Sequence, residues 1–188
     1  MNLFPLEHSK SAYRADFVLY GIAVVLLAVF LLVAGPRAQR LEMMAFALLG
    51  VGSWSGIEYA LHRFVLHGLQ PFRRWHAEHH QRPRALIITS TMLSATLIAI
   101  LVFLPAFLLG DLWRACALTL GLLLGYLGYA ITHHAIHHWR ADNAWLKDRK
   151  RWHALHHHSN APGCYGVTSS FWDQVFRSTR RTVAPGSN

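Results

Sequence analysis

The sequence predicts an all-α integral membrane protein, with about four transmembrane helices and a cytoplasmic helical cap that carries a histidine-rich di-metal site. Composition, apolar runs and histidine spacing lead there. Hydrophobic residues make up 53% of the 188-residue chain and charged residues 14%, a balance that suits a membrane protein better than a soluble one. Mean hydropathy is +0.24, and the apolar residues are gathered into long uncharged runs. Thirteen of the 14 histidines fall into four tight clusters. They read His62-Arg-Phe-Val-Leu-His67, His76-Ala-Glu-His79-His80, His133-His134-Ala-Ile-His137-His138 and His153-Ala-Leu-His156-His157-His158. The first and third sit where an apolar run ends, and the second and fourth follow closely.

The first span is read as Phe17–Pro36, which contains no charged residue. Crossing a bilayer takes about 20 residues. A signal peptide is the competing reading, but the run is long for one and no small-x-small cleavage site follows it. The second span is 41–61, with Glu58 near its end. The third is 85–109, where Pro105 is expected to bend or end the helix. The fourth is 112–132, whose Gly121, Gly125 and Gly128 read as close helix packing. One domain, 1–188, is the default at this length. The cap then comprises 62–84 and 133–180.

The net charge of +9 invites a nucleic-acid reading, but the basic residues flank apolar runs instead of forming a separate tail. Anionic lipid headgroups are the simpler partner. Four spans put the N-terminus, the 2–3 connection and the C-terminal tail on one side. Fifteen of the 18 Lys and Arg residues lie there, so this face and both termini are expected to be cytoplasmic. All thirteen clustered histidines share it. A helical pair that only dips into the membrane is the alternative for the first two spans. Trp139, Trp145 and Trp152 among basic residues mark an interfacial helix over about 143–157. Pro162 and Gly163 mark a turn before Phe171–Phe176. Cys116 and Cys164 form no CxxC motif and no expected disulfide, so a metal site must be built from histidine.

Imidazole is the commonest metal ligand, and spacings of three and four place ligands on one helix face. His76, His79 and His80 share about one quadrant. His133 and His137 stack one turn apart, as do His153 and His157, with His156 beside them. His62 and His67 are five apart, which on an α-helix turns them away from each other. They are expected to serve different ions unless the helix ends between them. The adjacent pairs His79–His80 and His156–His157 splay by about 100°, so they suit two ions better than one. Imidazole sets suit Fe, Zn, Cu or Ni, whereas Mg and Ca want oxygen. A structural zinc needs only four ligands. The surplus of nitrogen points to open coordination positions and redox work, with iron preferred to zinc.

Carboxylates near such a site would orient ring N–H groups and offset the metal charge. Glu58, Glu78, Asp142, Asp148 and Asp173 are the candidates. Glu58 is favoured, because an acid so near a span end is costly without a partner. Asp148, among Lys147, Arg149 and Lys150, is expected to make a surface ion pair.

In these motifs the chain resembles the fatty acid hydroxylase superfamily, the sterol desaturase family of membrane histidine-box enzymes. The resemblance covers roughly His62 to Thr179. The block from Lys150 to His157, followed by Tyr165-Gly-Val-Thr-Ser-Ser-Phe-Trp-Asp173-Gln-Val-Phe176, looks most like fatty acid 2-hydroxylases. The stretch His62-Arg-Phe-Val-Leu-His67-Gly also has some similarity to carotenoid hydroxylases. The family pattern HxxxxH, HxxHH, HxxxH and HxxHH falls on His62, His67, His76, His79, His80, His133, His137, His153, His156 and His157. The resemblance implies that these ten hold two metal ions, and leaves out His134, His138 and His158. One departure stands out: the 2-hydroxylases carry an acid just after the tyrosine preceding the third box, where this chain has Ala130.

The resemblance implies an oxygen-dependent di-iron lipid hydroxylase that inserts one oxygen atom into a C–H bond of a fatty-acyl or related lipid chain. Its cofactors would be two Fe ions, replaceable by Zn on isolation, with O2 as co-substrate. Its partners would be a membrane lipid and a separate electron-donor protein, since no haem domain of the cytochrome b type is fused; no nucleic acid is expected. Trp54, Tyr59, Tyr126 and Tyr129 are the expected pocket walls. A lipid desaturase or carotenoid hydroxylase on the same scaffold is the enzymatic alternative. A structural zinc or metal-handling membrane protein is the other. Transport predicts ligating residues at mid-depth in the spans, and the histidines stop at one face.

Overall fold

The computed structural model describes residues 7–87, 89–158 and 163–179, and these hold helices and no β-strand. Helix α1 spans Lys10–Ala34. The Ser9 hydroxyl caps it by accepting from the Ala12 N–H at 3.2 Å, and Gly35 and Pro36 end it. Helix α2, Arg40–Ala60, runs on unbroken into a π-helical segment, Leu61–Leu66. Helix α3 is Phe72–Gln81. The third apolar run is built of α4 (Thr91–Ile98), a π segment (Ala99–Phe103) and α5 (Leu104–Leu109). Its π turn lies just before Pro105, so the helix widens there instead of ending. Helix α6, Leu112–His138, is capped by Asp111, which accepts from the N–H groups of Trp113 and Arg114 at 2.8 and 2.9 Å. Helix α7, Ala144–His157, is capped by Asn143, and α8 is Phe171–Val175.

Four of these helical stretches, of 25, 30, 19 and 27 residues, are long and apolar enough to cross a membrane. At about 1.5 Å rise per residue, the shortest reaches about 28 Å, close to the hydrocarbon thickness. The first two runs form separate helices of 25 and 30 residues. Their outward side chains are apolar, with Val33 81% and Leu109 89% exposed, the pattern expected where lipid is the solvent. The starts of the first and third spans differ from the sequence reading. Helix α1 starts at Lys10, about two turns before the uncharged run. The third span starts at Thr91 because Leu86 and Ile87 pair with the N-terminal segment, His8 N–H donating to the Leu86 carbonyl at 3.0 Å.

Helix α6 is the hub, packing on α1, α2 and α5. Its contact with α2 is close because glycines face backbone. A Cβ on Gly121 would strike the Ala47 carbonyl, and one on Gly125 would strike Trp54. Gly128 has nothing within 4 Å. It is exposed and is not a packing residue. At the far end, Arg114 Nε donates to Glu42 Oε1 at 2.8 Å and ties the start of α6 to the start of α2. Both helices therefore reach the opposite face in fixed relative positions. Gly121→Ala is expected to lower stability by about 1–3 kcal/mol through overpacking, read as thermal unfolding in detergent. Gly128→Ala should unfold like the parent.

Candidate metal centre

Four elements bring the clustered histidines together: the end of α2, α3, the last turns of α6, and α7. Helix α6, and α2 through its π segment, run past the boundaries the hydropathy suggests, so His62 and the third cluster are helical and His67 caps the π segment. The π segment after α2 decides the first pair. His67 N–H donates to the His62 carbonyl at 3.2 Å, a five-residue bond that stacks residues five apart instead of turning them away. Their ring centroids lie 5.3 Å apart, and both belong to one group. The expectation that they serve different ions is overturned.

Two groups of nitrogens form. His62, His67, His76, His80 and His156 each offer one nitrogen, all within 4.8 Å of one another. His79, His133, His137 and His153 do the same. His157 joins the second group through its Nε2, 2.9 Å from His153 Nε2. The adjacent pairs are split as their splay requires: His79 and His80 face different groups, as do His156 and His157. The groups touch, since the His80 and His157 rings stack at 4.2 Å. His134 lies apart, 3.0 Å from the Tyr13 hydroxyl and stacked on His138 at 4.6 Å, and His158 is exposed.

The proton positions fit metal binding. His62 Nδ1 donates to the Tyr165 carbonyl at 2.5 Å and His156 Nδ1 to the Gly163 carbonyl at 2.9 Å. With the proton held at Nδ1, each Nε2 is left as a lone pair facing inward. Those lone pairs sit 3.0 Å from His76 Nε2 and 3.1 Å from His67 Nε2. Both nitrogens of buried His79, and Nδ1 of His153 and His157, have no hydrogen-bond partner. Converging lone pairs and orphaned buried nitrogens are what a cation would satisfy. Burial, reinforced by neighbouring cationic groups, holds the imidazoles neutral. It pushes His67 down to about 4, His79 to about 3 and His157 to about 2, and His76 and His153 well below the usual range.

The carboxylates act one step further out than expected. No hydrogen bond from Glu58 to a histidine is found among the described residues. Its Oε1 accepts from the N–H groups of Val167 and Thr168 at 2.7 and 2.9 Å, and its Oε2 accepts from the Thr168 hydroxyl at 2.5 Å. Asp173, fully buried, accepts from the N–H groups of Tyr165 and Gly166 at 2.9 and 2.8 Å, and from the Ser178 hydroxyl at 2.7 Å. Two acids thus pin the loop whose carbonyls set the histidine protons. Sequence reasoning missed those carbonyls, because a backbone acceptor leaves no mark in residue type. Glu78 and Asp148 pair with Arg82 and Arg149, and Asp142 is exposed. Of the predicted turn, Pro162 lies outside the described residues.

A cavity of about 130 Å³ opens onto both groups, reaching His76 of one and His79 and His133 of the other. Tyr126, Tyr129 and Ala130 line it from α6, as do Tyr13, Asp16 and Phe17 from α1. Trp54 packs behind the wall against Tyr126 and Tyr129. Tyr59 is not a wall. It stacks on Phe176, and its hydroxyl meets Ser178 and Arg63.

A family model described as fatty acid hydroxylase matches residues 47–178, which include all ten grouped histidines. The chain belongs to the fatty acid hydroxylase family. It is 35% identical over 138 residues to the dihydroceramide fatty acyl 2-hydroxylase FAH2 of Arabidopsis thaliana, covering 68% of this chain and 57% of that one. It is 32% identical to the ceramide very long chain fatty acid hydroxylase scs7 of Schizosaccharomyces pombe, covering 71% and 42%. The human fatty acid 2-hydroxylase is 26% identical, with 70% and 38% covered. The chain thus spans about half the length of the curated relatives it matches. A solved structure of full-length scs7p, with only the hydroxylase domain visible, matches all of this chain and 73% of that one, with a TM-score of 0.76 at 26% identity.

Two outcomes are expected for this fatty acid hydroxylase family member. Glu58→Ala, by freeing the loop, should weaken metal retention about 10–100-fold, measured as metal per chain during chelator titration; Glu58→Gln should lose less. For metal-free protein, unfolded histidines take up protons below about 6.5, while folded His67 and His79 stay neutral down to about 4 and 3. Stability should therefore fall as pH drops from about 6.5 towards 4 and stay level above about 7. Thermal unfolding across pH checks this.

Proposed function

We propose that this chain is an oxygen-dependent di-iron lipid hydroxylase, inserting one oxygen atom into a C–H bond of a fatty-acyl chain. The observation that carries it is the pair of touching imidazole groups beneath one cavity that reaches both. His62, His67, His76, His80 and His156 would hold one ion, and His79, His133, His137, His153 and His157 the other. Bound iron would supply O2 reduction and C–H oxidation. The second oxygen atom leaves as water, which takes two electrons from a separate donor protein and two protons from solvent.

The chain's own residues do the rest. The Tyr165 and Gly163 carbonyls hold His62 and His156 with Nε2 inward. Phe17, Trp75 and the cavity tyrosines exclude bulk water from the acyl chain. The apolar outer faces admit a lipid sideways from the bilayer. The basic histidine-bearing face would be cytoplasmic, with both termini on that side. The named relatives act on fatty acyl and ceramide lipids, which supports an acyl substrate. Five nitrogens in one group exceed the four of a closed structural zinc site. Desaturation would use the same site, with a second hydrogen removed.

Expression followed by mass spectrometry of membrane lipids tests the proposal. Lipids gaining one oxygen atom are expected, and loss of two hydrogens would support desaturation instead. His137→Ala should return the profile to background. A product profile identical to the parent's would contradict the two-metal assignment.

A further inference from the structure

Asp16 is an acid inside a membrane-crossing helix, and it is 5% exposed. Such residues are costly in lipid and persist where they face a cavity or a partner. Asp16 faces the cavity that reaches His76, His79 and His133. Its Oδ1 accepts from the Thr91 hydroxyl at 2.5 Å. No hydrogen bond to Oδ2 is found among the described residues. The cavity lining is otherwise aromatic or aliphatic, apart from the hydroxyls of Tyr13, Tyr126, Tyr129 and Thr89 and the imidazoles beyond, and outside the cavity His8 lies within electrostatic reach of Asp16. A carboxylate only accepts hydrogen bonds. The complementary group on a lipid is therefore an O–H or N–H donor near the acyl chain.

We propose that Asp16 binds the donor of the substrate's polar head, and so fixes which acyl carbon lies over the two histidine groups. This rests on the hydroxylase reading above. A head anchored on α1 leaves the chain to run past Tyr129 towards His133. An acyl lipid with a hydroxyl or amide N–H beside its chain is then preferred to one whose head lacks a donor. The rival role is structural, with Asp16 merely clamping α1 to the start of α4 through Thr91.

Asp16→Asn separates the two, because its amide oxygen can still accept from Thr91 while its NH2 replaces the second acceptor. Purified holoenzyme would be given dihydroceramide and its O- and N-methylated analogue, which has no donors. The expected result is about a tenfold loss for D16N on dihydroceramide, with products spread over several carbons and unchanged turnover of the analogue. Thr91→Val, which breaks only the clamp, should keep the parent's preference and product position. Equal losses on both lipids, or T91V behaving like D16N, would overturn the proposal. If D16N does not accumulate, the parent alone decides, since equal turnover of the two lipids contradicts the assignment. A parent that oxygenates no acyl lipid overturns the hydroxylase reading and this proposal with it. Parental activity with unaltered D16N selectivity overturns this proposal alone.

Discussion

Ten imidazole rings packed against one another are unfavourable unless something binds their inward lone pairs. Each ring loses water, and no ring can donate to all of its neighbours. The fold accepts this cost at one end of the helical bundle, where burial keeps the rings neutral. Neutral, deprotonated nitrogen is the form a metal needs. The same burial that would destabilise a metal-free protein at low pH therefore prepares the site to bind.

Everything around the rings holds them in that arrangement. The close contact of α2 with α6, made possible by Gly121 and Gly125, fixes His62 relative to His133 and His137. Lys150 Nζ donates to the Ile136 carbonyl at 2.7 Å, joining α7 to the end of α6. The loop of residues 163–168 closes the other side. Glu58 and Asp173 hold its N–H groups, and its carbonyls hold two ring protons. Removing either acid acts on the histidines through backbone, without touching them.

Much of this was legible in the sequence, for definite reasons. Uncharged runs gave the spans, and helical spacing gave the pairs His133–His137 and His153–His157. The splay of adjacent residues foretold that His79 and His80 would face different groups. What stayed hidden depends on backbone geometry. The π segment at Leu61–Leu66 reverses the expected divergence of His62 and His67, and no residue type announces it. The job of Glu58 was misplaced by one step, because its partners are N–H groups of a distant loop. Asp16 was overlooked because it sits one residue before the uncharged run, although an acid at that edge, three residues after Tyr13, was the available signal.

The central claim is that these ten histidines define two adjacent metal positions. Anomalous scattering from crystals of iron-loaded protein at the iron absorption edge tests it most directly. Two peaks are expected in each chain. One should lie among His62, His67, His76, His80 and His156, and the other among His79, His133, His137, His153 and His157. A single peak, or iron bound at His134 and His138 instead, would contradict it.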